Sequence, residues 1–265
     1  MLSSDFSLDA KCINKLSSKG LSIKTIKEQI DEDLELLLQL WHSQGLEILK
    51  QQGNFYFATK FIPLEDAEFC IVDIETNGSK IEKHQIIEIA AVKIKNGEII
   101  NTFDSLVNCK EINPHITQIT GISAQDTKDA PTLKEVMFTF KNFLADSVFV
   151  AHDVKFDYRF ISQSMQKVGL APLLNRSLCS LSLAERTIES YRYALSYLNE
   201  SFGLNPSAVH HRAMSDVLTT YELFKLSIVN LNENIKNVED IIKFSKEGKI
   251  LKRPKFDPLL KESQK

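Results

Sequence analysis

Between residues 67 and 107 the chain alternates apolar runs with turn residues at strand spacing. Phe69-Cys70-Ile71-Val72-Asp73-Ile74-Glu75 is too short for a helix and rich in β-branched side chains, which predicts a central strand. Residues 86–95 and 99–107 follow as strands joined through Asn96-Gly97, a pair that tolerates the backbone of a tight hairpin. The sheet is therefore expected to begin as an antiparallel meander. Beyond Pro131 the apolar spacing becomes helical. It predicts a helix to about Leu144, a strand over 147–151, a helix over 156–168, and helices around 181–188, 193–202 and 214–229. Nearer the start, helical spacing covers residues 10–18, 23–30 and 33–42, the last with Leu34, Leu37, Leu38 and Trp41 on one face. Short strands are expected over 46–50 and 55–61, around the turn residues Gly53 and Asn54.

These patterns predict an α/β fold with a mixed sheet flanked by helices over residues 67–230. A small N-terminal helical domain is expected over 1–66, where three helices and a hairpin resemble a winged helix. Composition adds little except by exclusion: 43% hydrophobic and 25% charged residues suffice for a packed core and rule out a disordered or fibrous chain. No apolar run approaches the roughly 20 residues of a membrane helix, and residues 1–15 lack a signal-peptide pattern, which points to the cytoplasm and away from a membrane. Cys12, Cys70, Cys109 and Cys179 are scattered without a CxxC pair, so neither a zinc site nor a disulfide framework is expected.

Charge sharpens the picture. The net charge of −3 leaves no broad basic surface, so nucleic-acid binding would have to be local. Residues 1–66 are themselves net −3, with Asp31, Glu32, Asp33 and Glu35 at the start of the third helix. That sign faces phosphates badly and favours a protein-docking or regulatory role for this domain. Residues 231–265 change character: from 243 onward they carry +5, and Pro254 and Pro258 interrupt any helix. A mostly extended basic tail is expected there, either a solvated tail or a weak nucleic-acid contact.

Three groups of residues carry chemistry. Asp73 and Glu75 sit two apart on a predicted strand, so both carboxylates project to the same face. Burying two anions together costs several kcal/mol unless a cation compensates, and the run holds no Lys or Arg. A divalent metal would supply it, although a solvent-facing strand end would also serve. The second group is Ala151-His152-Asp153-Val154-Lys155-Phe156-Asp157, a strand running through a polar loop into a helix. Asp157 in the first turn could simply complement the helix dipole, and His152 could be an ordinary loop histidine. The third is His210-His211-Arg212-Ala213-Met214-Ser215-Asp216. Five helical residues turn through about 500°, so His211 and Asp216 would not share a face if both were helical, and His211 is placed on the preceding loop.

Asp73-Ile74-Glu75-Thr76-Asn77-Gly78, the Ala151 to Asp157 segment and His211 to Asp216 together resemble, in order and spacing, the three motifs of the DEDDh exonucleases. The segments at 86–92 and 119–122 extend the likeness over roughly residues 67–230. The similarity is to bacterial proofreading exonucleases, the epsilon subunit of DNA polymerase III and the related domain of Gram-positive replicative polymerases. It implies a ribonuclease-H-like fold and 3′→5′ exonuclease activity on DNA ends, with RNA trimming as the alternative and a non-catalytic binding or scaffold subunit as a third reading. It also implies two divalent cations, Mg²⁺ or Mn²⁺, held by Asp73, Glu75, Asp157 and Asp216, with His211 as general base. The family's tyrosine variant would place its base at Arg212, and His210 is one residue too far. Thr76, Phe156 and His152 are the implied substrate contacts, and Asp153 departs from the family's usual asparagine. Partners implied are a nucleic-acid 3′ end, DNA ahead of RNA, and a replicative polymerase or other protein reached through the N-terminal domain.

Overall fold

Alternation along Phe69–Thr76 decides how the molecule is layered. Cys70, Val72 and Ile74 pack into one buried cluster with Met137, Phe140 and Phe160, while Phe69 and Ile71 pack into another with Val217, Tyr221 and Ile241. One strand thus serves two cores, one on each face. In the computed structural model, which describes residues 10–28 and 33–260, this strand is the centre of a five-stranded mixed sheet. The expected helix end at 29–30, the acidic Asp31 and Glu32, and the basic Lys261 and Lys265 lie outside the described residues.

The chain opens with α1 (Ala10–Leu16), β1 (Leu21–Ser22), α2 (Ile23–Lys27) and α3 (Leu34–Ser43). A hairpin of β2 (Ile48–Gln51) and β3 (Asn54–Phe57) follows. The apolar pattern did not show β1, which pairs with β3 to give a small three-stranded sheet. Leu37, Trp41, Leu46, Phe55 and Phe57 form the core of this unit. The expected strand to residue 61 stops at Phe57, because Ala58–Lys60 turns into a short 3₁₀ helix.

The main sheet runs in the order β6-β5-β4-β7-β8: β4 is Phe69–Thr76, β5 Ile86–Lys95, β6 Glu98–Leu106, β7 Val148–Ala151 and β8 Ser177–Cys179. β5 and β6 turn through Asn96 (φ 52°) and Gly97 (φ 77°), the positive angles that an Asn-Gly hairpin supplies. β7 is parallel to β4, and β8 to β7. Between β6 and β7 lie α4 (Pro114–Thr120), capped by Asn113 and ended by Gly121 in the left-handed region, and α5 (Leu133–Leu144), opened by a Thr132/Glu135 capping box. α6 (Val154–Lys167) links β7 to β8, and α7 (Ser180–Thr187), α8 (Leu195–Phe202) and α9 (Ala213–Val229) complete the cover.

The extended segment expected from residue 231 is corrected over its first half. α10 (Val238–Glu247) is a helix, opened by an Asn237/Asp240 capping box, with Val238, Ile241 and Ile242 buried. The prolines that argued against a helix fall after it. The lysines share it with an apolar stripe at i, i+3 and i+4 that packs on the sheet. Glu239, only 4% exposed, accepts from Arg176 Nε (2.7 Å) and Nη2 (2.6 Å) and from Thr59 Oγ1 (2.6 Å). Arg176 also stacks 4.3 Å over the Phe57 ring, joining the N-terminal unit, β8 and α10.

That unit is docked at the amino ends of the parallel strands. Leu174 N–H donates to the Gln44 carbonyl (2.9 Å), and a Cβ on Gly45, at φ +85°, would stand 2.3 Å from Asn175 Oδ1. The carboxylates of β4 lie at the opposite end of the sheet, so the unit leaves them uncovered. Among the described residues no helix is long and apolar enough to cross a membrane. No disulfide joins Cys12, Cys70, Cys109 or Cys179.

Candidate active site

Three elements deliver the acids. Asp73 and Glu75 share the β4 face that α9 covers, so Asp216 in the first turn of α9 comes down on them. Asp157, buried in the first turn of α6, arrives from the carboxyl end of β7, the parallel neighbour of β4. One ligand atom from each of Glu75, His211 and Asp216 lies within 4.8 Å of the others. His211 sits outside the helix, at φ +63°, and its N–H donates to Asp216 Oδ2 (3.0 Å). The loop placement expected for it is what the backbone adopts. His210 Nδ1 stands 3.4 Å from Asp216 Oδ1 on the same loop.

Burial and mutual repulsion dominate the electrostatics. Asp73 is held well above the usual carboxylate range by burial, and then by the charges of Asp157, Asp216, Glu75 and Glu88. Glu75 is pushed up to about 8, first by burial and then by Asp216, Glu88 and Asp157, with Arg212 pulling it back. Asp157 is raised to about 7 by burial, against the backbone N–H groups of Ile74 and its own residue, with Asp153 adding to the rise. Such carboxyls keep protons at neutral pH unless something more positive replaces them. Such a crowd of oxygen donors is a fit for hard divalent cations, and a poor one for any anion on its own.

Among the described residues, the guanidinium beside the site, that of Arg212, is already committed. Arg212 donates to Glu88 from Nε (3.1 Å) and Nη2 (2.7 Å), and Ala213 N–H donates to the other Glu88 oxygen (2.8 Å). Glu88, 3% exposed, is the cross-strand partner of Glu75 on β5. It thus clamps the amino end of α9, and with it His211 and Asp216, beside the β4 carboxylates. In the sequence Glu88 is one position of the segment 86–92. The signal that could have marked it is a single acid inside the unbroken apolar run Ile86–Val92, which burial permits only with a partner.

The remaining expected contacts divide. Phe156, 40% exposed, leans on Phe160 at 5.5 Å between centroids and leaves a ring face to solvent. Thr76 lies at a β-bulge ending the β4–β5 pairing. His152 is different: Nε2 pairs with the Tyr193 carbonyl at 2.8 Å and Nδ1 with Ser180 Oγ at 3.1 Å. Burial pushes its pKa down, and a neutral ring donating from Nε2 and accepting at Nδ1 satisfies both bonds. Both nitrogens therefore serve the loop after β7. Asp153 is exposed at φ +68° and makes no capping bond to α6.

Residues 70–224 match a family model described as Exonuclease. The PolC-type DNA polymerase III of Caldanaerobacter subterraneus subsp. tengcongensis is 39% identical over 179 residues, 66% of this chain and 13% of that protein. Its counterpart in Staphylococcus haemolyticus is 34% identical over 181 residues, 67% of this chain and 12% of that protein. The chain thus spans only 12–13% of the length of these relatives. Among solved structures, E. coli exonuclease I with a dA16 oligonucleotide superposes at TM-score 0.57 and 18% identity, over 62% of this chain and 41% of that one. Exonuclease X in complex with 5′ overhanging duplex DNA does so at TM-score 0.52 and 24% identity, over 67% and 99%. The shared architecture is the expected ribonuclease-H-like mixed sheet flanked by helices.

Proposed function

The chain belongs to the exonuclease family, and from that premise we propose that it is a metal-dependent 3′→5′ exonuclease releasing nucleoside 5′-monophosphates from DNA ends. The observation that carries the proposal is the convergence of Glu75, His211 and Asp216 within 4.8 Å, on a face where Asp73 also points and beside buried Asp157. Four acids from three separate elements have no structural reason to meet. Crowded together without a compensating cation, their carboxylates are costly to keep.

In this reading Asp73, Glu75, Asp157 and Asp216 would hold two Mg²⁺ or Mn²⁺ ions. Bound there, such ions lower the pKa of water and neutralise charge on the attacking and leaving oxygens. The protein's own share is positioning and proton transfer. His211, on an exposed loop tied to Asp216 through its backbone N–H, presents its ring to take the proton from the attacking water. Glu88 and Arg212 fix the height of that loop over β4. The exposed face of Phe156 stacks on the terminal base, and Thr76, at the bulge, contacts the terminal nucleotide. His152 acts through the loop it holds. The acidic N-terminal unit, docked away from the site, suits a protein partner such as a replicative polymerase.

Incubating 5′-labelled single-stranded DNA, mismatched duplex and RNA with the wild type and Asp157→Ala, with and without Mg²⁺ or Mn²⁺, tests this. The expected result is stepwise, metal-dependent shortening of DNA by the wild type alone. No shortening of any end would sink the proposal, and preference for the RNA would move the substrate to RNA trimming.

A further inference from the structure

After α10 the chain does not dangle but straps across the molecule. Leu251 N–H donates to the Glu185 carbonyl (2.9 Å), and Arg186 Nε donates to the Gly248 carbonyl (2.9 Å). Arg253 donates to Glu185 Oε1 (3.3 Å), and its guanidinium lies 5.2 Å over the Tyr193 ring. Asp257 is buried at the far end, where it accepts from Tyr197 OH (2.5 Å) and lies 3.9 Å from Arg192. These anchors fix residues 249–260 along α7 and the start of α8.

The outward face of this strap is cationic and aromatic. Lys249, Lys252 and Lys255 are exposed and enter no ion pair among the described residues. Phe256 is 73% exposed between them and Asp257. Arg192, with 63% of its side chain exposed, stands 5.7 Å over Tyr191 and 5.8 Å over Tyr197. Tyr193, beneath Arg253, is the residue whose carbonyl holds His152, one position before Asp153 and at the mouth of the α6 turn that carries Asp157. From its anchors at Glu185 and Arg186 on α7, the strap therefore runs toward the Tyr193 loop that holds His152, at the carboxyl end of the parallel strands.

We propose that residues 249–260, with Arg192 and Tyr191, form a track for the single-stranded nucleic acid upstream of the end being cut. The direction of the track rests on the exonuclease reading above. The chemistry on each side is complementary: unpaired lysines meet phosphates, and Phe256 and Tyr191 offer faces on which bases stack without regard to sequence. The need is physical too. The cleft itself is lined with carboxylates and the chain as a whole is net −3, so affinity for a strand longer than a few nucleotides has to come from a local cationic surface.

Two measurements on the full chain test the track. The first is fluorescence anisotropy of a labelled single-stranded DNA 20-mer in a metal chelator, where the bare acidic site repels phosphate and the strap supplies the binding. Lys249→Ala/Lys252→Ala/Lys255→Ala is expected to bind about 10-fold more weakly, and to lower the slope of log K against log salt by about 2, for three lost phosphate contacts on a single strand. Phe256→Ala is expected to weaken the 20-mer and leave a duplex of equal length unaffected. The control Lys11→Ala/Lys15→Ala/Lys24→Ala removes the same charge from the N-terminal unit and should bind as wild type. The second measurement is Mg²⁺-dependent hydrolysis of the 20-mer against a dinucleotide too short to reach the strap. The strap variant should raise KM for the long substrate and leave the dinucleotide unchanged. Wild-type binding by the strap variant, an equal loss in the control, or an equal loss on the dinucleotide overturns the track. Absence of hydrolysis by every protein, with the anisotropy difference intact, overturns the exonuclease reading and leaves the binding surface standing.

Discussion

Raising the pH of the metal-free protein puts the crowded carboxylates to the test. Glu75 at about 8 and Asp157 at about 7 hold protons in the folded chain that they would release near pH 4 once unfolded. Folding therefore takes up protons, and the stability tied to this uptake disappears as pH rises through the two folded values. Asp73, raised by the same burial and neighbours, acts in the same sense. Asp126 and Glu135, lowered by hydrogen bonds from Ser123 and Thr132, act oppositely but only as pH falls into the acid range. His152, held neutral by burial, also opposes, below its unfolded value near about 6.5. The informative window is therefore about pH 6.5 to 8.5. Across it Glu75 loses about 2 kcal/mol and Asp157 about 1 kcal/mol, an upper figure that water entering the cleft relaxes. For a chain of this size that is a fall in Tm of roughly 5 °C. Thermal melts in chelator should show it, and millimolar Mg²⁺ or Mn²⁺ should abolish it by occupying the folded site. In chelator at the alkaline end, Asp157→Asn should melt above the wild type, since it removes a buried anion. A flat Tm in chelator, or melts indifferent to divalent cations, would refute the account of the carboxylates as a metal seat.

Other expectations follow from single contacts. His211→Gln should lower kcat by about 10²–10⁴ while keeping the metal-induced rise in Tm; loss of both would mean the histidine acts on the fold rather than on the proton. Arg212→Ala leaves Glu88 buried without its cation and should cost about 2–3 kcal/mol in urea unfolding, whereas Glu88→Gln leaves a half-exposed Arg that water can solvate and should cost less. Equal costs would contradict that asymmetry. Arg176→Met strands Glu239 with only the Thr59 hydroxyl and should destabilise by about 3–5 kcal/mol; a change within experimental error would mean the junction between the N-terminal unit, β8 and α10 is held elsewhere.

Much of the site was legible because its positions are set by local periodicity. A two-residue step on a strand fixes Asp73 and Glu75 to one face whatever the rest of the chain does. A strand running into a helix puts Asp157 in a first turn, and five residues of separation mean that His211 can meet Asp216 only from a loop. The Asn96-Gly97 hairpin follows from the angles those residues accept. The helix Val238–Glu247 was missed for the opposite reason: nearby lysines and prolines outweighed a three-residue apolar stripe whose meaning depends on a sheet far earlier in the chain, whose nearest strand is Ser177–Cys179.

The sequence by itself determined which residue types could meet, the strand that carries the first two acids, and the family to which the motifs belong. Only the tertiary structure decided that Glu88 and Arg212 join across 124 positions to set the height of the loop that carries His211. It alone turned both nitrogens of His152 inward, docked the N-terminal unit at the far end of the sheet, and laid the basic segment along α7 and the start of α8. Periodicity reports which way a side chain faces within its own element. It carries no information about which distant charge will be waiting there, because that is settled by the packing of elements against one another, where each buried ion must find its partner.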